Sequence, residues 1–247
     1  MPKPWYIDGF GAHYLELYAH RNQREAAQAV TLLDRVGLDL RGLRLLDLAC
    51  GAGRHLDVLR RREALPVGLD LSSDLLTEAA KGGNSPLLVR GDMRRLPLAN
   101  ASFDGVLSMF TSFGYFDADR ENWTVLDEVA RVLRPEGFYL FDFINRGWVL
   151  RHLEPESKRV GPRFRASEKR RLEGDRVLKE VSIHEGEQGP RLLRYEESVR
   201  LFSRDEILEA AEPRSLRLLE SWGTYSGRSY SESDSPRMIF LFERTSS

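Results

Sequence analysis

The chain of 247 residues has one cysteine, Cys50, which excludes an intrachain disulfide and any metal site built from several thiolates. Its histidines, His13, His20, His55, His152 and His184, never pair at metal-ligand spacing on one helix face, so no metal is expected. No apolar run approaches the ~20 residues of a membrane span. The opening Met-Pro-Lys-Pro-Trp-Tyr lacks the basic-then-apolar order of a leader, and the expectation is a soluble cytoplasmic protein with no membrane partner. An excess of one charge is also missing: 37 Lys and Arg against 38 Asp and Glu leave a formal −1, which gives no field to hold nucleic acid. Internal repeats and low-complexity tracts are absent. The length suits one large α/β domain or two small ones.

What the chain does have is a glycine turn behind an apolar stretch. Leu43–Ala49 reads as a strand buried on both faces, Gly51 and Gly53 make a tight turn, and a helix starts at Arg54. This arrangement brings backbone N–H groups and a positive helix end to a ligand. Strand and helix then alternate. Arg54–Arg62 is a helix and Leu65–Leu71 a strand; Ser72 or Ser73 caps a helix that runs to about Lys81 and closes at Gly82-Gly83-Asn84. Strands Pro86–Arg90 and Phe103–Met109, the helix Trp123–Leu133, a turn over Arg134–Gly137 and the strand Phe138–Ile144 complete the series. Such alternation implies right-handed βαβ units and a doubly wound, mostly parallel sheet.

The flanks differ in character. Residues 5–37 read mostly as amphipathic helix ended by Gly37, with Trp5, Tyr6, Phe10, Tyr14 and Tyr18 crowding its start. These aromatics either pack the segment on the domain or make it a cover, with Tyr14, Tyr18 and Arg21 facing the ligand. Beyond residue 150, Arg163–Leu172, Arg176–His184 and Arg191–Phe202 read as three antiparallel strands added to the first sheet. Ser203 and Glu206 form a capping box for a helix from Arg204, and Ser215–Trp222 and Met238–Arg244 are the last strands.

The glycine turn alone names no ligand, because Leu56 occupies the third glycine position of the dinucleotide pattern. The following strand ends say more. Asp70 ends the second strand, where a carboxylate can accept both hydroxyls of a ribose. Asp92 follows the third, where it can take an adenine amine, with Met93 beside it for the ring. Alone, Asp47 fits a turn brace and Asp70 or Asp92 a helix or loop cap; all three in step with the turn do not.

In this order, Leu-Leu-Asp-Leu-Ala-Cys-Gly-Ala-Gly-Arg-His, Gly-Leu-Asp-Leu-Ser, Arg-Gly-Asp-Met-Arg-Arg-Leu-Pro-Leu, Phe-Asp-Gly-Val-Leu-Ser and Arg-Val-Leu-Arg-Pro-Glu-Gly closely resemble the motifs of class I S-adenosylmethionine-dependent methyltransferases. The match covers roughly 40–145. The remainder is similar to a bacterial small-molecule subgroup with an antiparallel insertion. The resemblance implies a Rossmann-like seven-stranded sheet of order 3-2-1-4-5-7-6 with strand 7 antiparallel. It implies S-adenosylmethionine as cofactor and S-adenosylhomocysteine as product. Asp47, Ala49, Gly51 and Gly53 would line the methionine half, Asp70 the ribose diol and Leu71 the adenine face. Asp92 and Met93 would hold the adenine edge, and Met109 and Phe110 would flank the sulfonium. Ala52 stands where many relatives have Ser or Thr. The expected organisation is one domain, 1–247: a helical cover (1–37), a cofactor-binding core (38–150), the β insertion (151–202), and the last helix and strands (203–247).

Methyl transfer needs mostly alignment and desolvation. Phe110–Phe116 sits where a nucleophile should arrive, with Phe113, Tyr115 and Phe116 as walls and Thr111 and Ser112 as hydroxyls; Tyr14, Phe113 and Tyr115 are the expected substrate-positioning residues. Asp142, Asn145, Arg146, the loop 223–230 and Arg237 would orient a polar group at the same rim. His55 more simply braces the turn. The expected acceptor is a small molecule methylated at N, O or C by a monomer or homodimer. An NAD-dependent oxidoreductase is the rival reading, opposed by Leu56 and by Asp92-Met93. A non-catalytic cofactor-binding protein is a second rival. A nucleic-acid base methyltransferase is opposed by Ser-Met-Phe-Thr after strand 4 and by the balanced charge.

Overall fold

The computed structural model describes residues 4–18, 23–82, 87–187 and 189–246. Arg21, Gly83, Asn84 and Pro86, all assigned places from sequence, lie outside the described residues. The chain opens with three short helices, α1 (Trp5–Gly9), α2 (Ala12–Leu17) and α3 (Gln23–Thr31), not one long one. The first break falls at Phe10-Gly11, where Gly11 takes up extended backbone before α2.

The core follows as β1 (Arg44–Leu48), α4 (Arg54–Arg61), β2 (Leu65–Asp70), α5 (Ser73–Ala79), β3 (Leu87–Arg90), β4 (Phe103–Ser108), α6 (Asp119–Val132) and β5 (Leu133–Ile144). After α7 (Arg146–His152) come β6 (Glu156–Val160), β7 (Phe164–Glu173), β8 (Arg176–Glu185) and β9 (Arg191–Arg200). The chain finishes with α8 (Arg204–Ala211), β10 (Leu216–Trp222) and β11 (Arg237–Arg244).

Seven strands form one sheet in the order β3-β2-β1-β4-β5-β11-β10. Only β11 runs against its neighbours β5 and β10, as the resemblance implied. Central strands need apolar residues on both faces, and β1 supplies them: Leu46 and Leu48 pack towards α6 and α8, Leu45 towards α3 and α4. Close approach of α4 to the sheet depends on a glycine placed on the strand rather than the helix. A Cβ on Gly68 would stand 2.7 Å from Leu56 Cδ1 and 2.8 Å from Cys50 Sγ. Leu56 therefore fills the gap that the missing third glycine would have left. The cap predictions hold: Ser72 Oγ accepts from Leu75 N–H at 3.2 Å, and Ser203 and Glu206 complete their reciprocal box.

Three expectations are corrected. The insertion is not an extension of the first sheet; it is a separate antiparallel sheet, β6-β7-β8-β9. Its first strand, Glu-Ser-Lys-Arg-Val, escaped detection because no residue in it is buried, so no apolar alternation marks it. Helix α7 was missed as well, and it straddles the boundary drawn at residue 150. Its Asn145 cap, accepting from Gly147 N–H at 3.1 Å, was the available signal. Finally, β5 starts at Leu133 rather than Phe138, absorbing the Arg134–Gly137 turn as a register shift with left-handed Glu136. Among the described residues no helix is long and apolar enough to cross a membrane.

Phe113 belongs to this core, not to a ligand wall. It is 1% exposed and meets Phe141, Phe143, Phe202 and Trp123 at ring separations of 5.4–6.1 Å. Truncating so enclosed a ring leaves a cavity that rigid neighbours cannot close. Phe113→Ala should cost about 3–5 kcal/mol in urea unfolding; a loss below about 1 kcal/mol would return Phe113 to an open pocket.

Candidate active site

β1 and β4 are neighbours, yet the chain leaves β1 for α4 on one face and β4 for α6 on the other. That divergence opens a crevice beyond their carboxyl ends. Both strands end in unusual backbone. Ala49 (φ 60°), Phe110 (φ 60°) and Thr111 (φ 63°) are left-handed without being glycine. Such residues cost of order 1–3 kcal/mol each and persist only where the surroundings hold them.

At the β4 end the holder is Asp142. Its Oδ2 accepts from Phe110 N–H at 2.8 Å and from the Tyr225 hydroxyl at 2.5 Å, and its Oδ1 accepts from Arg237 Nε. Asp142 O takes Thr111 N–H at 3.0 Å, and Arg237 Nη2 donates to Thr111 Oγ1 at 3.1 Å. Burial works against the charge of Arg237, but Asp142 outweighs it and raises the guanidinium pKa. Burial likewise keeps the Tyr225 phenol protonated.

At the β1 end the corresponding group is Asp70. Its Oδ2 accepts Gly51 N–H and its Oδ1 accepts Ser72 N–H, both at 2.8 Å. One carboxylate thus staples the glycine turn to the end of β2. Burial raises its pKa, against the pull of the N–H groups of Ser72, Gly51 and Leu71. Asp92 faces a different balance: burial pushes it up, but Arg94 grips both its oxygens and holds it below the usual carboxylate range. Arg94 also pairs with Glu121 at 2.7 Å and lies over Phe116.

These ends open on a cavity of about 730 Å³. Ala49, Gly51, Asp70, Leu71, Asp92, Met93, Met109 and Phe110 line one part of it. Tyr14 and Tyr18 of the N-terminal segment join them, together with Tyr115 from the loop after β4. Their contacts form an aromatic chain: Trp5 meets Tyr115 edge-on at 4.9 Å, Phe10 meets Tyr14 at 5.1 Å, and Tyr14 stacks on Tyr18 at 4.6 Å. Phe116, the residue after Tyr115, is held by Asn122, fully buried, which bonds the backbone of Phe116 and Ala118.

Several predicted residues stand elsewhere. Phe113 is in the core, as described. Asp47 and Gly53 lie one layer behind the cavity wall. Gly53 is left-handed (φ 81°), and a Cβ there would press on Ala79 at 3.1 Å, so it shapes the turn instead of lining it. The Tyr18 hydroxyl donates to Glu168 at 2.6 Å, tying the N-terminal segment to the insertion. Asn145 is buried and spent on the backbone of Ser231, Glu232 and Ser235, and Tyr225 reaches Asp142 without lining the cavity. Residues that sequence reasoning missed also line it: Trp148 and His152 of α7, and Arg170, Lys179 and Glu197 of the insertion.

With this geometry in place, comparison with known proteins is informative. The family profile of the methyltransferase domain matches residues 46–156. An amino-sugar enzyme of Streptomyces venezuelae, dTDP-3-amino-3,4,6-trideoxy-alpha-D-glucopyranose N,N-dimethyltransferase, is 36% identical over 121 residues, which cover 49% of this chain and 51% of that one. A fatty-acid O-methyltransferase of Mycolicibacterium smegmatis is 39% identical over 107 residues, covering 42% and 38%. The chain therefore spans about half the length, or less, of these two relatives. The crystal structure of an S-adenosylmethionine-dependent methyltransferase from Clostridium acetobutylicum has the same fold throughout, with TM-score 0.79, 20% identity, and 97% and 99% of the chains covered. Residues 46–156 therefore carry a methyltransferase domain, and the chain as a whole has the fold of the S-adenosylmethionine-dependent methyltransferases.

Within this methyltransferase fold, Asp47 is the least comfortable residue. Its Oδ2 has no hydrogen-bond partner among the described residues, and His55 Nδ1 stands 3.9 Å away, beyond bonding reach. Burial lifts Asp47 to about 7, with Arg54 opposing and Asp70 adding to the rise. Burial also pushes His55 down to about 3, so its ring is neutral. Between pH 3.8, the ordinary Asp value, and about 7, the folded chain holds a proton on Asp47 that the unfolded chain has lost. Asp47 therefore costs more stability as pH rises through that window. Relative to wild type, Asp47→Asn should gain stability between pH 4 and pH 8 in urea unfolding without cofactor. A difference that moves the other way would refute the buried, strained acid.

Proposed function

We propose that the chain transfers a methyl group from S-adenosylmethionine to an N, O or C atom of a small molecule. The observation that carries this reading is Asp70, a carboxylate at the cavity edge already fixed by Gly51 N–H and Ser72 N–H. Its oxygens keep lone pairs for a ribose diol. Leu71 and Met93 lie on the same wall for the adenine, with Asp92 at its edge. Asp92 shares its oxygens with Arg94, which fixes its position and charge. Ala49, Gly51, Met109 and Phe110 surround the place for the methionine half, where Arg54 lies 3.7 Å over the Phe110 ring. Asp47 Oδ2 behind that wall, without a partner among the described residues, is a group that an arriving α-ammonium would draw into its ionised form.

The sulfonium, when bound, supplies a methyl that is already electrophilic. The chain's part is alignment and exclusion of water. Left-handed Phe110 and Thr111, pinned by Asp142, fix one side of the reaction space, and Tyr115, next to the Phe116 that Asn122 holds, lines the other. The hydroxyls nearby are engaged: Ser112 pairs with Ser108 at 3.1 Å, and Thr111 accepts from Arg237. This supports displacement by a nucleophile that arrives neutral, without an obligatory base from this loop. The two curated relatives act on an amino sugar and on a fatty acid, which supports a small acceptor without selecting one.

Calorimetry with S-adenosylhomocysteine and with NAD tests the reading. S-adenosylhomocysteine should bind, and Asp70→Asn should weaken it by roughly ten- to a hundredfold, the loss expected for hydrogen bonds to a charged group. Tight NAD binding without S-adenosylhomocysteine binding would sink the proposal. Cofactor binding with no labelled methyl passed to any of a broad acceptor panel would favour a non-catalytic protein.

A further inference from the structure

The insertion turns one face of β7, β8 and β9 to the cavity. Val177, Val199 and Leu201 make much of that face apolar. A charged row crosses it: Arg170 stands opposite Lys179, and Lys179 opposite Glu197, in cross-strand register. All three line the cavity. Two cations directly opposite each other on paired strands repel. Here both are also largely withdrawn from water, with 16% and 14% of their side chains exposed.

Carboxylates offset part of this. Glu168, with none of its side chain exposed, takes Arg170 and Ser157 on Oε2 and Arg159 and Tyr18 on Oε1. Glu197 lies 2.6 Å from Lys179. The cluster still holds three cations (Arg159, Arg170, Lys179) against two carboxylates (Glu168, Glu197). Another carboxylate that lines the cavity, Glu154, is on the exposed segment after α7. Donors remain unused as well. Arg170 Nε has no partner among the described residues, and Lys179 spends bonds only on Glu197 and the Tyr18 hydroxyl at 3.3 Å. Tying down the N-terminal segment needs Glu168, Tyr18 and Arg159; it does not need two more cations turned towards the cavity.

We propose that this row is an anion subsite, and that the methyl acceptor carries a phosphate or carboxylate that docks on Arg170 and Lys179. The proposal rests on the methyl-transfer reading of the cavity. An arriving anion would relieve the Arg170–Lys179 repulsion and use the unspent donors, the guanidinium offering a fork and the ammonium a point charge. The apolar and aromatic walls on either side would take the body of the acceptor.

The test titrates inorganic phosphate, and separately acetate, into protein saturated with S-adenosylhomocysteine, with sodium chloride at matched ionic strength as control. Saturable binding of phosphate, acetate or both beyond chloride is expected. Whichever binds identifies the anionic group. Lys179→Gln and Arg170→Gln should each weaken that binding about tenfold or more, while S-adenosylhomocysteine affinity stays unchanged. Lys179→Gln keeps the buried Glu168 paired, and so remains informative if Arg170→Gln misfolds. No saturable binding of either anion, or binding untouched by Lys179→Gln, overturns the subsite. Failure of wild-type protein to bind S-adenosylhomocysteine would instead overturn the methyl-transfer reading, and anion binding could still be read without it.

Discussion

The site depends first on Asp142. A phenylalanine and a threonine in left-handed backbone would relax in isolation, and the loop between β4 and α6 would relax with them. Asp142 prevents this by occupying both its carboxylate oxygens and its carbonyl with that loop and with the C-terminal strand pair. The antiparallel insertion of β11 beside β5 makes this possible, because Ile239 pairs with Asp142 and Arg237 with Ile144. The last strand thus delivers the guanidinium that sits against this buried carboxylate. Removing either partner would leave a buried charge uncompensated, which costs far more than the pair itself contributes.

The other half of the crevice shows the opposite economy. Asp70 is satisfied by two backbone N–H groups, whereas Asp47 behind it has an oxygen without a partner among the described residues and a lifted pKa. A fold optimised for stability alone would place an apolar side chain there. Buried acids held in an uncomfortable state cluster at functional sites, and the neutral His55 beside Asp47 does not relieve it. Strain at Ala49 and desolvation at Asp47 therefore meet at the same turn, one layer apart.

That the strand-end residues line one cavity was legible because that information is local. Asp70, Asp92, Met93 and the glycine turn occupy strand ends, and strand ends can be found from apolar runs and turn residues. The sheet order came with the family resemblance. What was not legible is direction. Phe113 and Tyr115 are two residues apart in one aromatic loop, and nothing in their types says that the first faces Phe141 and the second the cavity. Asn145 looked like a rim residue but is spent on backbone some 86–90 residues away in sequence, whereas Arg237 does line the cavity while pairing with Asp142, 95 residues away. The polar strand β6 carries no apolar signature at all, so the sequence showed only three of the four strands and they read as an addition to the first sheet.

The same distinction separates the two chambers of the cavity. The wall proposed for the cofactor is encoded at successive strand ends of a parallel sheet, each next to its own turn. The opposite wall is encoded by cross-strand register. Arg170, Lys179 and Glu197 are neighbours only because β7 pairs with β8 and β8 with β9 without slippage through that row. A shift of one residue would turn the row outward and bring Arg171, Glu180 and Glu196, now facing solvent, to the cavity. The charge presented to an acceptor is therefore set by hairpin geometry as much as by residue type. Substitutions in that row can change the charge on this wall without disturbing the strand-end residues of the opposite one.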